Sequence, residues 1–471
     1  MSKKIKESEI LELGFPKGKI TNFINDILNK KLKKENHDIK LSLLRDLAQN
    51  PEKYLKDEYF GFVAEEILRK PKAIQPKTLS EIPKSYPIYG KEWVENGAKQ
   101  QMETAMRLPV AIAGALMPDA HQGYGLPIGG VLATENSIIP YGVGVDIGCR
   151  MCLTVYDIPI ERLQQNKEQF KNILEDNTRF GRATFQKPKE HEILDRNLFK
   201  EIKLLKNLKD KAFQQLGSSG SGNHFVEFGI VEIANDTPEI QLKKGKYIGL
   251  LSHSGSRGLG ATIANHYTHL AKELCPLPKE ASHLAWLDLD TQEGQEYWLA
   301  MNLAGDYASA CHDQIHWRIA KALGEKPLTK IENHHNFAWK ELDENGKEWI
   351  VHRKGATPAG KNVLGIIPGS MTDVGFIVKG KGNIQSINSA SHGAGRVMSR
   401  SKAKETITGS ALKKHLKEHG VELIGGGLDE APMVYKNIHQ VMAAQEDLVE
   451  ILGTFLPKIV RMCGDDSPAE D

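Results

Sequence analysis

From about residue 86 onwards, short β-type runs alternate with glycine-rich turns, and this pattern constrains the fold more than any other feature. The runs, such as "HFVEFGIVEI" and "NVLGIIPGS", are rich in branched and aromatic residues and end at glycines. Longer stretches with helical spacing of apolar residues lie between them, notably at residues 292–323. This mixture predicts an α+β fold with one large catalytic domain.

The first 75 residues have a different texture. Three segments, which begin near residues 19, 38 and 57, place apolar residues three and four positions apart, as amphipathic helices do. The proline-rich segment "PKAIQPKTLSEIPKSYP" that follows is typical of an extended connector. The sequence therefore predicts a small helical N-terminal extension and linker over residues 1–85, a catalytic domain over 86–464 and an acidic C-terminal tail over 465–471.

Composition excludes several classes of protein. The 62 Lys and Arg residues nearly balance 60 Asp and Glu residues, so any binding of nucleic acid requires a local basic patch. Five cysteines, an odd number, argue against a disulfide framework and for a reducing compartment. The first residues lack the apolar segment of a signal peptide, and the longest apolar run is too short to span a bilayer. We therefore expect a soluble, cytoplasmic protein.

The stretch "GVGVDIGCRMC" concentrates Asp146, Cys149 and Cys152 behind a glycine-rich turn. A zinc ribbon needs a second Cys-x-x-Cys pair, which the sequence lacks, and a thioredoxin-type pair opens a helix rather than a strand. We interpret Cys152 as a small buried apolar residue and Asp146 and Cys149 as candidate metal ligands. Two other motifs fail on similar grounds: "GATPAGKN" lacks the Ser or Thr of a P-loop, and "HDQIH" lacks the glutamate of a zinc protease.

Five histidines lie in glycine-rich turns rather than on helices, which suggests a common polar site at the ends of strands. A thiolate, a carboxylate and several imidazoles suit a borderline divalent ion such as Zn²⁺, Mn²⁺, Fe²⁺ or Co²⁺, and a thiolate can bridge two ions. Neighbouring glycines let backbone amides approach an anion. The residues thus indicate metal-dependent phosphoryl or nucleotidyl transfer. The histidines are His121, His224, His253, His335 and His392.

Nine ordered motifs extend this hypothesis: "PDAHQGYGLPIGG", "VGVDIGC", "GNHFVE", "SHSGSRG", "HHN", "RKGAT", "PGSM", "SHGAGR" and "DEAPMVYK". In this order they resemble the RtcB family of RNA ligases, over roughly residues 86–464. The resemblance implies an α+β fold with mixed β-sheets and ligation that depends on GTP and Mn²⁺. The family joins RNA that ends in a 3′-phosphate or 2′,3′-cyclic phosphate to RNA with a 5′-hydroxyl, in RNA repair or tRNA splicing, through a histidine–GMP intermediate.

The resemblance also assigns roles to residues. His392 is the implied nucleophile, and Cys149 the implied bridge between two Mn²⁺ ions. Asp119 and His121 are placed near the metals, as supporting groups or contacts to an RNA end. The implied metal ligands are Asp146, Cys149, His224, His253 and His335. The implied nucleotide contacts are Asn223, Glu227, Ser370, His392, Gly393, Ala394, Gly395 and Tyr435.

The sequence departs from the family pattern at two positions that concern guanine recognition. Cys463 stands where a lysine is expected, and Gly375 replaces a second serine. We expect guanine selectivity to be weakened, or supplied by Lys458 or Arg461 instead. Basic residues in or near the motifs are candidates for a phosphate-binding RNA patch. These are Arg150, Arg257, Lys354, Arg396, Arg400 and Lys402.

Two other functions compete with the ligase hypothesis. A dinuclear phosphoesterase or cyclic-phosphate hydrolase would keep the ions and dispense with nucleotidylation, and the altered tail favours it. A non-catalytic RNA-binding or scaffold protein would use the N-terminal helices for interaction, and the intact ligand motifs disfavour it. The role of those helices, the physiological RNA, the oligomeric state and any activating partner are left open by the sequence.

Overall fold

A computed structural model describes residues 5–15, 19–33, 35–68 and 75–464. The chain forms two compact units, Met1–Gln75 and Pro76–Asp471. The predicted acidic tail, residues 465–471, lies outside the described residues.

The first unit is helical, as the spacing of its apolar residues predicts. Its helices are α1 (Glu7–Glu12), α2 (Lys19–Lys30), α3 (His37–Gln49) and α4 (Gly61–Leu68), with a 3₁₀ turn at Pro51–Tyr54. The side chain of Asn36 accepts a hydrogen bond from the amide of Ile39 and caps α3. The apolar faces of the helices bury Ile24, Leu44 and Val63 in a core of their own.

The second unit combines helices with four β-sheets. Its helices are α5 (Asn96–Met106), α6 (Pro140–Val143), α7 (Ile160–Gln165), α8 (Lys167–Asn177), α9 (Leu198–Glu201), α10 (Lys203–Gln215), α11 (Arg257–Leu274), α12 (Gln292–Leu323), α13 (Arg400–Thr406), α14 (Gly409–His419) and α15 (Ile438–Ala443). Its strands are β1 (Ala111–His121), β2 (Ile128–Thr134), β3 (Ser137–Ile138), β4 (Arg150–Tyr156), β5 (Phe225–Ile233), β6 (Gly245–Ser254), β7 (Leu287–Asp288), β8 (Pro327–His334), β9 (Asn336–Leu342), β10 (Glu348–Lys354), β11 (Ala356–Pro358), β12 (Leu364–Ile367), β13 (Gly375–Gly380), β14 (Ser389–Ser391), β15 (Glu422–Gly426) and β16 (Val449–Gly464).

Antiparallel pairing dominates the sheets. The largest sheet has the order β12-β13-β16-β5-β6-β4-β8, with β15 paired in parallel to β16. A second sheet has the order β1-β2-β10-β9, and two small sheets pair β11 with β14 and β3 with β7. This α+β arrangement of helices and mixed sheets is the predicted fold class.

Residues 76–85 of the proline-rich segment run along the rest of the second unit. The backbone amides of Lys77, Ser80 and Lys84 donate to the carbonyls of Pro276, Arg107 and Met106. Residues 76–85 of the predicted extension and linker therefore lie in the second unit. Within the described residues, no helix is both long and apolar enough to cross a membrane.

Candidate active site

A cavity of about 680 Å³ opens in the second unit, next to the ends of several strands. Its walls include all the metal ligands and all the nucleotide contacts that the family resemblance implies. These are Asp146, Cys149, Asn223, His224, Glu227, His253, His335, Ser370, His392, Gly393, Ala394, Gly395 and Tyr435, together with His121.

Strand pairing in the largest sheet brings the sulfur and nitrogen donors together. Met151 of β4 pairs with His253 of β6, so Cys149, two residues before Met151, lies beside the end of β6. His253 also pairs with Phe225 of β5, which places His224 next to it. Strands β4 and β8 pair as far as Arg150 and His334. The amide of His335 then donates to the carbonyl of Cys149 at 2.9 Å, which brings these two residues together.

The first group of donors consists of Asp146, Cys149 and His224. The Nε2 atom of His224 lies 3.0 Å from Oδ2 of Asp146 and 3.3 Å from Sγ of Cys149. Although the first distance is short, Oδ2 has no hydrogen bond of acceptable geometry. The amide of Ser256 donates to Oδ1 at 3.1 Å and fixes the carboxylate.

The second group of donors shares Cys149 with the first and adds His253 and His335. The Nε2 atom of His253 lies 3.1 Å from Sγ of Cys149 and 3.1 Å from Nε2 of His335. The other ring nitrogen of His253, Nδ1, lies 3.0 Å from the carbonyl of Asn223 and donates to it. In this tautomer Nε2 carries a lone pair that faces the thiol and the second imidazole.

The electrostatics keep Asp146, His253 and His335 in the protonation states that metal ligands need. Burial, together with nearby imidazoles, lowers the pKa of His253 to about 3 and that of His335 well below its usual value. Burial acts to raise the pKa of Asp146, but the His224 imidazole and the Cys149 thiol lower it overall. Neutral imidazoles and an ionised carboxylate therefore face one another in a buried pocket.

The donor atoms fit a pair of divalent ions that share one thiolate. In each of the two groups the donor atoms lie within 4.8 Å of one another, and every residue is buried. Buried carboxylate oxygens are normally hydrogen-bonded, yet Oδ2 of Asp146 has no hydrogen-bond partner among the described residues. A ligand set of carboxylate, thiolate and imidazole suits Mn²⁺, Fe²⁺, Co²⁺ and Zn²⁺.

His392 lies against the second group of donors, and a buried carboxylate orients it. Its ring centroid is 4.9 Å from that of His335, and its Nδ1 is 2.7 Å from Oδ2 of Asp119. The same oxygen accepts the amides of His392 and Gly393. Burial acts to raise the pKa of Asp119, but the contact with His392 lowers it overall. The ionised carboxylate holds the imidazole proton on Nδ1, so Nε2 is free to act as a nucleophile.

The remaining walls offer polar contacts for a nucleotide. Glu227 is buried on β5, and burial raises its pKa well above its usual value. The hydroxyl of Ser370 donates to Asp373 at 2.5 Å, and the hydroxyl of Tyr435 donates to the buried carboxylate of Glu430. Since the amide of Gly393 is engaged by Asp119, it is less available to a phosphate than the sequence suggests.

Two of the arginines assigned to the RNA patch have structural roles instead. Arg150 is buried, donates to the carbonyl of Gly305 at 2.9 Å and lies 3.3 Å from Glu332. Arg257 is buried too and donates to the carbonyl of Gly181. Neither lines the cavity, whereas Lys354, Arg396 and Arg400 do and Lys402 is exposed. The predicted patch is therefore wrong for the two buried arginines.

The proposed substitutes for the missing lysine do not reach the cavity either. Arg461 donates to the carbonyl of Leu174 and its guanidinium lies 5.7 Å from the Phe180 ring centroid. Lys458 and Cys463 are also absent from the cavity walls, and Cys463 packs in an apolar cluster. Their neighbours Val460 and Met462 face the cavity, because side chains alternate along β16.

Sequence reasoning missed two groups in the cavity. Glu430 lies inside the "DEAPMVYK" motif, where its pairing with Arg396 and Arg400 was not foreseen. Lys354 is one of the predicted phosphate contacts, but its burial, which lowers its pKa to about 7, is not evident from the sequence. Its position as the last residue of a strand in the "RKGAT" motif was the available signal.

Replacing Gly255 with alanine is expected to remove one ion from the site. A Cβ atom there would lie 2.0 Å and 2.1 Å from the two carboxylate oxygens of Asp146, which would have to move. We expect the protein to bind one Mn²⁺ per chain instead of two, by elemental analysis after gel filtration. Gly409→Ala is the control, because nothing lies within 4 Å of its added methyl group. Two ions in Gly255→Ala would contradict the assignment of Asp146.

The chain is similar to known proteins over most of its length. The family model described as "tRNA-splicing ligase RtcB" matches residues 101–205 and 189–462. The RNA-splicing ligase RtcB of Escherichia coli strain K12 is 35% identical over 399 residues, which cover 77% of this chain and 93% of that protein. The tRNA-splicing ligase RtcB of Nanoarchaeum equitans is 30% identical over 416 residues, which cover 73% of this chain and 87% of that protein.

Proposed function

The chain belongs to the RtcB family, and from this membership and its site we propose that it is a GTP-dependent RNA ligase that uses two Mn²⁺ ions. Its substrates are an RNA end that carries a 3′-phosphate or 2′,3′-cyclic phosphate and an RNA end with a 5′-hydroxyl. The observation that carries the proposal is the position of His392, which lies beside the shared-thiolate donor groups and is oriented by Asp119.

The first chemical step is the attack of His392 on GTP. Its Nε2 atom forms a bond to the α-phosphorus, and the bond from that phosphorus to the leaving pyrophosphate breaks. The carboxylate of Asp119 accepts a hydrogen bond from Nδ1–H, so this proton stays on the imidazole. The carboxylate also stabilises the positive charge that develops on the ring. The product is a phosphoramidate between the histidine and GMP.

The second and third steps transfer GMP and release it. An oxygen of the RNA 3′-phosphate attacks the phosphoramidate phosphorus, which breaks the P–N bond and returns a neutral imidazole. The 5′-hydroxyl then attacks the activated 3′-phosphate, loses its proton and displaces GMP. A cyclic phosphate end first requires hydrolysis to a 3′-phosphate, with the addition of one water molecule.

Asp146, Cys149 and His224 are the proposed ligands of one ion, and Cys149, His253 and His335 those of the other. When bound, such ions neutralise charge that develops on phosphoryl oxygens. The chain's own contribution is to fix the donors. The carbonyl of Asn223 sets the tautomer of His253, and the amide of Ser256 orients the carboxylate of Asp146.

Glu227 is the proposed contact to the guanine base. Its buried carboxyl offers an acceptor to the N–H groups of the purine edge, and its burial raises its pKa well above the usual value. With Cys463 directed into the core, the base loses the contact that a lysine at this position makes in the family. We therefore propose that guanine selectivity in this chain depends more on Glu227 than on the residue at position 463.

A ligation assay tests the function directly. Two synthetic RNAs, one with a 2′,3′-cyclic phosphate and one with a 5′-hydroxyl, are incubated with Mn²⁺ and either GTP, ATP or no nucleotide. The proposal predicts that the two RNAs are joined only in the reaction that contains GTP, and that His392→Ala joins none. If the enzyme only opens the 2′,3′-cyclic phosphate, and does so equally well without GTP and with His392→Ala, it is a phosphoesterase instead.

Lys354 is expected to make the binding of an RNA end depend on pH. Its ammonium donates to the carbonyl of Tyr124 at 2.5 Å, and its pKa of about 7 leaves it half charged at neutral pH. A bound phosphate favours the charged form and raises this pKa, so binding takes up a proton and weakens as pH rises. Above pH 7 the loss approaches tenfold per pH unit for one linked proton.

Fluorescence anisotropy with an RNA that ends in a 2′,3′-cyclic phosphate measures this dependence between pH 6.5 and 8.5. The cyclic ester does not titrate in this range, so it adds no slope of its own. Lys354→Met should bind more weakly at pH 6.5 and show a shallower slope. Equal slopes in the two proteins would show that Lys354 does not contact the RNA end.

A further inference from the structure

A second cluster of metal-binding side chains lies outside the cavity. Cys152, His312 and His316 are buried, and their donor atoms lie within 4.8 Å of one another. None of them lines the cavity, and the reaction proposed above makes no use of them. The sequence alone predicts Cys152 to be a small apolar residue, and it excludes the "HDQIH" motif, which contains the two histidines, as a zinc-protease site.

The alternation of side chains along the strands separates this cluster from the active site. Met151 pairs with His253, and both side chains line the cavity. The next pair, Cys152 with Ser252, therefore faces the opposite side of the sheet. Helix α12 covers that side, and His312 and His316, one helical turn apart, point from it towards the strands.

In each imidazole one nitrogen, here called the outer one, contacts a group of the β-sheet. The other, inner nitrogen of each imidazole points towards the hydroxyl of Ser252. Nε2 of His312 donates to the carbonyl of Ser254 at 3.1 Å, so its Nδ1 carries a lone pair. Nδ1 of His316 is 2.6 Å from the hydroxyl of Thr154. The inner nitrogens lie 2.7 Å and 2.8 Å from the hydroxyl of Ser252. Such outer contacts orient the histidines of metal sites.

We propose that Cys152, His312 and His316 bind a structural zinc ion, with the hydroxyl of Ser252 beside it as a fourth contact. One thiolate and two imidazoles are ligands that Zn²⁺ prefers in proteins. The thiol loses its proton to solvent as the ion binds, and the ion replaces the hydrogen bonds that link the imidazoles through Ser252. The proposal does not rest on the ligase function.

The ion would join strand β4 to helix α12 behind the catalytic cavity. Cys149, the shared donor of the active site, directly precedes β4, so the zinc would hold the strand that positions it. The competing arrangement is a hydrogen-bond chain with no ion. In that chain Thr154 donates to His316, His316 to Ser252, Ser252 to His312, and His312 to the carbonyl of Ser254.

Metal analysis of full-length Cys149→Ser distinguishes the two arrangements, because this variant lacks the cavity thiolate. The proposal predicts one zinc per chain after gel filtration. When the protein is produced with Co²⁺, we expect the near-ultraviolet absorption band of thiolate-to-cobalt charge transfer. Folding is monitored by circular dichroism. Folded Cys149→Ser without zinc, and without the cobalt band, would overturn the proposal in favour of the hydrogen-bond chain.

Second substitutions in the Cys149→Ser background identify the ligands. Adding Cys152→Ser should abolish the cobalt band, and adding His316→Gln should lower the zinc content to well below one per chain. Cys275→Ser is the matched control, since this buried cysteine belongs to a separate apolar cluster. A cobalt band that survives Cys152→Ser would assign the thiolate elsewhere and contradict the site. The measurement on Cys149→Ser alone decides the matter if a double variant does not fold.

Discussion

Replacing Cys149 with serine is expected to abolish both guanylylation and ligation and to reduce bound Mn²⁺ from two ions per chain to one or none. The sulfur lies 3.3 Å from His224 and 3.1 Å from His253, so it is the only donor that both groups share. Serine is nearly the same size, but its hydroxyl stays protonated near neutral pH and cannot supply the negative charge of a thiolate. Elemental analysis and electron paramagnetic resonance of coupled Mn²⁺ measure the loss.

Cys275→Ser provides the control for this substitution, because it makes the same chemical change at a buried cysteine that is remote from the cavity. It should keep two Mn²⁺ ions and full activity. A Cys149→Ser protein that still holds two coupled ions would show that the thiolate is not the bridge. The ions would then be bound by the carboxylate and imidazole ligands without it.

Replacing Asp119 with asparagine is expected to slow the formation of the histidine–GMP adduct by roughly 10²–10⁴-fold. The carboxylate holds the proton of His392 on Nδ1, across a contact of 2.7 Å. An amide of the same shape can still accept the hydrogen bonds that Oδ2 accepts, but it carries no negative charge and cannot stabilise the positive charge that develops on the imidazole during the attack. Rapid-quench measurement of labelled protein gives the rate, and its pH profile reports the altered imidazole.

The binding of Mn²⁺ separates this positioning role from a general loss of structure. Asp119→Asn should keep both ions, because Asp119 belongs to neither donor group. Asp306→Asn, at an exposed carboxylate paired with Arg196, is the control and should react at the normal rate. An unchanged rate in Asp119→Asn would mean that the charge of the carboxylate does not assist the attack of His392.

The sequence contained enough information for the fold class and for the composition of the site. Apolar spacing predicts the N-terminal helices, which the structure contains, and alternation with glycine turns predicts the β-rich remainder. Motifs around Asp146, Cys149 and the turn histidines predict a polar site at strand ends. The structure brings all these side chains to one cavity, because each motif ends or begins a strand.

Contacts between distant segments could not be read from the sequence. Asp119 and His392 are 273 positions apart, and only the folded chain shows that a carboxylate orients this histidine. The burial of Arg150 and Arg257 depends on neighbours from helix α12 and from the loop after α8. A motif says that an arginine is present, but the direction in which it points is set by packing.

Alternation along the strands separates side chains that lie close together in the sequence. Cys149 and Cys152 are three residues apart, which suggests a pair, yet they face opposite sides of the sheet. The same alternation directs Cys463 into the core while Met462 lines the cavity. A shift of one residue in register would exchange these faces, and spacing along the chain does not specify it.

The most direct measurement of the central claim is the transfer of label from α-³²P GTP to the protein in the presence of Mn²⁺, read on a denaturing gel. Parallel reactions contain labelled ATP, CTP and UTP, and the variants are His392→Ala and Cys149→Ser. The account predicts label from GTP that resists alkali, is released by acid as expected of a phosphoramidate, and is absent from both variants. Absence of label from every nucleotide, in protein that holds two Mn²⁺ ions, would contradict it.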